Sequence, residues 1–424
     1  MLDLKYVRDN IDEYRVSLKK RGHDFPLDEL LELDKRRREF ITELQGLRHR
    51  RNVASEEIAK MKVEGQDLKP KIEEMRKINE LIKRNEVELK KIETNLRQLM
   101  LKMPNIVHES VPEGTDETYN VEIRRWGTPR LIEGPDHIDI ALSLDLMDLE
   151  RAAKVAGSRF YYLKADIVKL NFALLSYGLD FGAKKGFTLL QPPYMLKRRI
   201  MEGAVDLSAF EESIYKIEDE DLYLITTSEH ALLGYHADEI LNGNELPLRY
   251  LGVSPCFRKE AGAHGRDTKG IFRVHIFEKV EQFVFCKPED SWEEHEKLIM
   301  NAEEFFQSLG IPYRIVNVCA GELGAPAAKK YDLEVWLPGQ RKYREAVSCS
   351  NCLDWQARRL AIRYRDKPGE ETRFVHTLNS TLVATERAII AIMENFRTDD
   401  GSIEIPEVLR PYMGGQERIK PTNK

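Results

Sequence analysis

Residues 257–281, FRKEAGAHGRDTKGIFRVHIFEKVE, hold the densest set of side chains able to do chemistry. Arg258 offers a planar cation that can take a phosphate or a carboxylate through two parallel hydrogen bonds. Glu260 follows two residues later, which on a strand is the same face. Gly262, Gly265 and Gly270 let the chain turn, while His264, Arg266 and Lys269 make the loop attractive to phosphate. Residues 271–285 then alternate with aromatic and β-branched side chains on both faces, the pattern of a central antiparallel strand. An Arg-x-Glu tripeptide alone reads as a surface ion pair. With the loop and strand behind it, the segment suits a nucleoside triphosphate and an activated carboxylate held against a rigid sheet.

Other candidate groups lie downstream. Arg387 opens a helix over 385–395, where the helix dipole disfavours a cation, and that placement implies an anionic partner. Glu345 and Ser348, taken alone, are equally well surface polar residues. Cys349 and Cys352 have CxxC spacing, but there is no second pair for a zinc ribbon and no βαβ setting for a redox dithiol. They read as buried structural thiols. No GxxxxGK[ST], no GxGxxG after a strand and no HExxH occurs, which removes P-loop, dinucleotide and zincin readings.

The elements that must position these groups differ between the two ends of the chain. Positions 30, 33, 37, 40, 44, 47, 51, 54, 58 and 61 step by three and four, and eight of the ten are apolar; Arg37 and Arg51 are the exceptions. A second series, 71, 75, 78, 82, 85, 89, 92, 96, 99 and 103, is again eight of ten apolar, with Lys71 and Asn85 as exceptions. Spacing sustained this long predicts a coiled-coil seam. Gly65 stops the first helix and Asp67 caps the second, so the two form an antiparallel hairpin roughly 50 Å long at ~1.5 Å per residue. Residues 1–104 form this helical domain, 105–135 a Pro- and Gly-rich linker, 136–415 a mixed domain, and 416–424 a disordered tail. Helices are expected over 142–154 and 165–181, and a strand closed by prolines over 186–195. The fold class is α+β.

The chain has 424 residues, enough for two domains, and a formal net charge of −6. Residues 27–103 carry 19 Lys/Arg and 16 Asp/Glu, so a mildly basic segment sits on an acidic remainder. Residues 35–51 alone, with KRRR and RHRR, hold seven basic and two acidic residues. A basic helical face is commonly just solvated. Here Arg37 and Arg51 interrupt the apolar seam itself, which favours backbone-led RNA recognition by Arg37, Arg38, Arg48 and Arg51. Five cysteines, an odd number, fit a reducing compartment. Asp3 and Lys5 stand where a signal peptide would be apolar, so none is expected here, and no apolar run nears the ~18 residues of a membrane span. A cytoplasmic protein without membrane contact is expected.

Segment 257–281 resembles motif 2 of the class II aminoacyl-tRNA synthetases, particularly the seryl-tRNA synthetases. The resemblance extends to GSRFYYLKADIVKLNFAL (157–174), TTSEHALLGYHADEI (226–240), SCSNCLDWQARR (348–359), HTLNSTLVATERAIIAIMEN (376–395) and IPEVLRPYMGG (405–415), in the family's order and over almost the whole chain. It implies an antiparallel sheet flanked by helices, ATP as a substrate with Mg²⁺, and serine activation followed by transfer to serine tRNA, with selenocysteine tRNA as a further acceptor where one exists. Arg258, Glu260 and Arg387 then carry the chemistry. Thr227, Ser228, Glu229, Arg258, Glu281, Asn379 and Thr381 contact serine. Lys259, Val274, His275, Ile276, Phe277, Glu345, Ala346, Val347 and Ser348 join Arg258, Glu260 and Arg387 around ATP, with Phe277 stacked on adenine and Glu345 and Ser348 at Mg²⁺. Thr227, Asn379 and Thr381 read equally as turn or capping residues without the resemblance. Ile276 stands where the family carries Gln, and Leu382 where it carries Gly. Gly186, Phe187, Leu190 and Pro193 match motif 1, which implies a homodimer, and the basic hairpin implies a grip on the tRNA. Two rivals are a ligase charging a carrier protein and a non-catalytic RNA-binding adaptor. The full arm argues against the first, and Arg258, Glu260, Glu281, Glu345 and Arg387 together argue against the second.

Overall fold

A computed structural model describes residues 1–131, 134–260 and 269–421. Gly262, His264, Gly265 and Arg266 therefore lie outside the described residues. The chain divides into two compact units, one of residues 2–15 and 24–103, the other of residue 1, 16–23 and 104–424.

The first unit is dominated by α1 (Leu27–Val63) and α2 (Lys69–Lys102), 37 and 34 residues long. Every one of the twenty seam positions is buried or half-buried. Leu44 and Leu47 meet Ile78 and Ile82 as the heart of the seam. Gly65 takes the left-handed conformation (φ +66°) that ends α1 at no steric cost. Asp67 lies one residue further from α2 than a formal cap, yet its Oδ1 accepts the Lys69 N–H at 3.0 Å. Ion pairs cross the hairpin between Arg48 and Glu86 (2.9 Å), Arg37 and Glu93 (3.4 Å), and Lys71 and Glu57 (2.6 Å). Exposed pairs of this kind contribute ~0–1 kcal/mol each, so the apolar seam holds the hairpin together.

The second unit is built on one eight-stranded sheet. Its strands are β1 (Val121–Trp126), β2 (Thr188–Leu190), β3 (Leu248–Phe257), β4 (Ile276–Cys286), β5 (Tyr313–Asn317), β6 (Lys329–Leu337), β7 (Lys342–Asn351) and β8 (His376–Ala384). They lie in the order β1-β5-β6-β7-β8-β4-β3-β2, antiparallel throughout except for the parallel edge pair β2 and β3. Five helices matter to the site: α3 (Asp166–Lys184), α4 (Ser228–Gly234), α5 (Ser291–Ser308), α6 (Trp355–Leu360) and α7 (Thr385–Asn395). One face of the sheet sends Val280, Val284, Leu333, Val347 and Val383 into the main core with α3, α5 and α7. From the other face, Phe283 and Phe285 pack with Leu232 and Leu233 of α4 and Ala357 and Leu360 of α6. The period-2 alternation of strand side chains separates these two layers.

Several sequence expectations need correction. Residues 105–135 are not a linker: β1 forms the sheet's edge against β5, and buried Asn105 bonds the carbonyls of Pro326 and Cys352, both at 2.8 Å. Prolines and glycines bracket that strand and hide its short alternation. Nor is the tail disordered from 416, because Arg418–Ile419 pairs with Ile403–Glu404 and Ile419 is buried. The helix expected over 142–154 is two, His137–Ser143 and Leu149–Ala156, the second capped by Asp148 through the Arg151 N–H. The strand expected from 271 begins at Ile276. Glu260 does not share a strand face with Arg258, since β3 ends at Phe257 and Glu260 adopts a left-handed φ of +51°.

Candidate active site

A cleft of about 330 Å³ opens on the sheet face opposite the main core. Alternation on β4 aims Phe277, Lys279 and Glu281 into it, while Val280 faces the core. Two β-bulges bring in the neighbouring strands. The β6–β7 register slips at Ala346, so that Glu345 pairs with Glu334 while Val347 pairs with Leu333. One extra residue puts Glu345 and Ser348 on the same wall, although an unbroken strand would set them on opposite faces. On β8 the slip falls at Leu382, so Thr381 lies opposite Glu281 and Ala384 opposite Lys279. The departure from the family's Gly is therefore at a bulge, where the Leu382 side chain joins the main core.

Helix ends supply the rest. Thr227 caps α4, accepting the Glu229 N–H at 3.3 Å, and sets Glu229 in the first turn. Gln356 of α6 donates to Glu229 Oε1 at 2.9 Å. Arg387 sits in the first turn of α7, donating to the Glu345 carbonyl at 2.9 Å and to its carboxylate at 3.1 Å. Arg258 follows the end of β3 with its guanidinium 4.9 Å from the Phe277 ring centre. Phe272 lies beneath both Arg344 (4.1 Å) and Arg387 (4.8 Å).

The charges separate into two zones. At one end Glu229 and Glu281 face Lys279, whose Nζ is 2.5 Å from Glu281 Oε2. Thr381 lies opposite Glu281 on the neighbouring strand and lowers its carboxyl as Lys279 does. Burial, then the nearby Glu281 charge, pushes the Glu229 carboxyl up to about 7. Burial also raises Glu281 despite Lys279. His230 is driven down to about 3 by burial and by Lys279, so it is a neutral imidazole in the wall. At the other end, partial loss of hydration inside the cleft raises Glu345, but Arg387, Lys330 and Arg258 together hold it below the ordinary carboxylate value. A corner with excess carboxylate suits an ammonium; a wall of arginines suits phosphate.

Comparison with known proteins decides what such a cleft belongs to. Residues 1–107 match the seryl-tRNA synthetase N-terminal domain, and residues 214–396 the class II tRNA synthetase core domain of the G, H, P, S and T enzymes. A serine–tRNA ligase of Nitrosopumilus maritimus is 55% identical over 421 residues, covering 99% of this chain and 100% of that protein. The chain belongs to the seryl-tRNA synthetase family. A serine–tRNA ligase of Thermococcus sibiricus is 51% identical, covering 100% of this chain and 98% of that protein. The seryl-tRNA synthetase of Pyrococcus horikoshii, solved in complex with ATP, matches with a TM-score of 0.96 at 49% identity over 100% of both chains. A cytoplasmic serine–tRNA ligase of Naegleria fowleri, in complex with AMP, matches with a TM-score of 0.88 at 42% identity, over 99% of this chain and 97% of that one.

Of the residues that the family resemblance singles out, thirteen line the cleft: Thr227, Glu229, Arg258, Glu260, Val274, Phe277, Glu281, Glu345, Ala346, Ser348, Asn379, Thr381 and Arg387. Five do not. Ser228, the first residue of α4, is buried with its hydroxyl donating to the Gly252 carbonyl at 3.4 Å, and Val347 points into the main core. Lys259 turns its ammonium over the Tyr215 ring, Ile276 is 37% exposed away from the cleft, and His275 bonds the Arg258 carbonyl through Nδ1 at 2.8 Å. Glu260 accepts from Arg273 at 3.1 Å. Sequence reasoning misses Lys279, Gln356, Phe272 and Lys330. Lys279 is within reach of the sequence, two residues before Glu281 on one strand face; nothing local marks the other three. The cysteines behave as expected, being free and buried among the described residues.

For Mg²⁺, the donor set fits. Glu345 keeps 45% of its side chain exposed with one oxygen on Arg387, and the Ser348 hydroxyl shares its wall. A single carboxylate and a hydroxyl leave the remaining positions to phosphate and water, as Mg²⁺ prefers.

Proposed function

We propose that this chain is a serine–tRNA ligase that activates L-serine with ATP and esterifies the terminal ribose of serine tRNA. One observation carries the reading: Arg258 and Arg387, from separate elements, share a cleft with the acidic corner of Glu229 and Glu281. In the first step a serine carboxylate oxygen attacks the α-phosphorus, and the bond to the bridging oxygen breaks to release diphosphate. In the second, a ribose hydroxyl oxygen attacks the acyl carbon, the acyl–phosphate bond breaks, AMP departs and the hydroxyl proton is lost. Arg258 joins the two reacting anions and Arg387 takes negative charge on the phosphates. Glu229, Thr227 and Glu281 receive the ammonium, and Glu281 with Thr381 and Asn379 reads the hydroxyl. Glu345 and Ser348 would hold Mg²⁺, which when bound would supply charge neutralisation on the phosphates. Positioning and electrostatics then account for catalysis without a protein nucleophile.

The arginines of α1 are the proposed tRNA contact, the motif 1 match supports a homodimer, and five unpaired thiols suit a cytoplasmic setting. Among the described residues no helix is long and apolar enough to cross a membrane. Serine-dependent ATP–pyrophosphate exchange, followed by charging of serine tRNA, tests the reading. Exchange without tRNA charging would favour a carrier-protein ligase, and neither activity would favour an adaptor.

A further inference from the structure

The stretch 157–174, one of the segments that resemble the family, does not line the cleft. Its side chains gather behind the two nucleotide-facing elements. Tyr161 donates to Glu386 Oε1 at 2.5 Å. Both oxygens of Glu386 accept the backbone N–H of Glu278 at 3.1 Å, and Thr385 Oγ1 lies 3.2 Å from Oε2 and 3.4 Å from the Glu278 carbonyl. Asn171 of α3 donates to the Glu278 carboxylate. Glu386 immediately precedes Arg387, and Glu278 immediately follows Phe277.

A second strand of contacts reaches Arg258. The His275 N–H donates to the Arg159 carbonyl at 3.2 Å, the Phe160 ring stacks obliquely 4.8 Å from His275, and the Arg258 N–H donates to the His275 carbonyl at 2.9 Å. Glu386 borders the cleft but is only 2% exposed, its carboxylate turned to Tyr161 and the Glu278 N–H, and no cation pairs with it among the described residues. Burial lifts its carboxyl to about 7. A buried carboxyl without a counter-ion is costly unless its hydrogen bonds are needed.

We infer that Glu386, oriented by Tyr161, is a positioning residue that locks the start of β4 to the first turn of α7. Phe277 and Arg387 then meet the nucleotide in one geometry. The inference rests on the proposed reading that these two residues hold ATP. It differs from a purely structural cap because the lock spans two ligand-facing elements at their ligand-facing ends.

The experiment compares the full-length protein with Glu386→Gln, Tyr161→Phe, their double variant and Arg387→Ala in ATP–pyrophosphate exchange, with thermal melting as a folding control. Misplacement on the order of 1 Å costs ~10²-fold, so each single variant should lose roughly 10- to 100-fold in kcat/KM for ATP. The KM for serine should stay within about twofold, and the double variant should be little worse than the worse single one. Equal losses for ATP and serine, or a lowered melting temperature with unchanged kinetics, would overturn the inference. Should Glu386→Gln not fold, Tyr161→Phe, which removes one oxygen atom, decides the matter. Arg387→Ala separates the layers: if it too leaves ATP use intact, the reading of the site fails. If it alone is impaired, only the positioning role fails.

Discussion

Arg258 is the residue on which both proposed substrates converge, so its removal is the sharpest test at the scale of single side chains. Arg258→Ala should leave a folded protein whose serine-dependent pyrophosphate exchange falls by about 10²–10³, the drop typical of removing one charged group that stabilises a transition state. Glu281→Gln should weaken serine use far more than ATP use, read as separate kcat/KM values. Glu229 gives a pH prediction. Its carboxyl titrates near 7 when folded, against an ordinary 4.5, so the folded state holds an extra proton between those values. Its contribution to stability therefore falls as pH rises through that window. Ammonium binding favours the ionised form, so the KM for serine should fall between pH 6 and 8, and Glu229→Gln should flatten that trend. The identities of Arg258, Glu281, Glu345 and Arg387 were legible because motif and residue chemistry point the same way. Gln356, which holds Glu229, was not, since it comes from a helix 127 residues away.

At the scale of elements, strand alternation and bulges set which side chains reach the cleft, and the hairpin seam sets which arginines reach a ligand. Arg37, Arg38 and Arg48 are tied to Glu93, Asp34 and Glu86, while Arg36 and Arg50 are exposed. Replacing Arg37, Arg38, Arg48 and Arg51 by Gln should lower tRNA affinity, and the slope of log K against log salt should shrink by roughly 0.7–0.9 for each phosphate no longer neutralised. A filter-binding salt titration measures it. An unchanged slope would assign the phosphate-binding role to Arg36 and Arg50 instead. Heptad spacing made α1 and α2 legible almost to the residue, because a long seam averages over local exceptions such as Asn85. Short strands such as β1 offered too few alternations to stand out from the turns around them.

For the whole molecule, two compact units imply separable work. Every residue proposed to touch ATP or serine lies beyond 226, and Tyr161, proposed to position Glu386, lies in the same unit that contains the sheet. Deleting residues 28–103 and joining the ends with a short Gly/Ser linker should spare pyrophosphate exchange while kcat/KM for tRNA charging collapses. Undiminished charging by the shortened protein would make the hairpin a structural or partner-binding element.

The sequence alone determined the hairpin, the mixed sheet domain and the identities of the main charged groups. The hairpin and the sheet domain follow from periodicity and capping, local along the chain, while the charged groups were singled out by residue chemistry together with the resemblance to the family. Tertiary structure decided what depends on register and long-range packing. It moved Glu260 off the strand, turned Val347 into the core and swung Glu345 onto the cleft through one bulged residue. It also set Tyr161 against Glu386, 225 residues apart. A one-residue slip reverses every side chain on a strand, and no local pattern records where such slips occur.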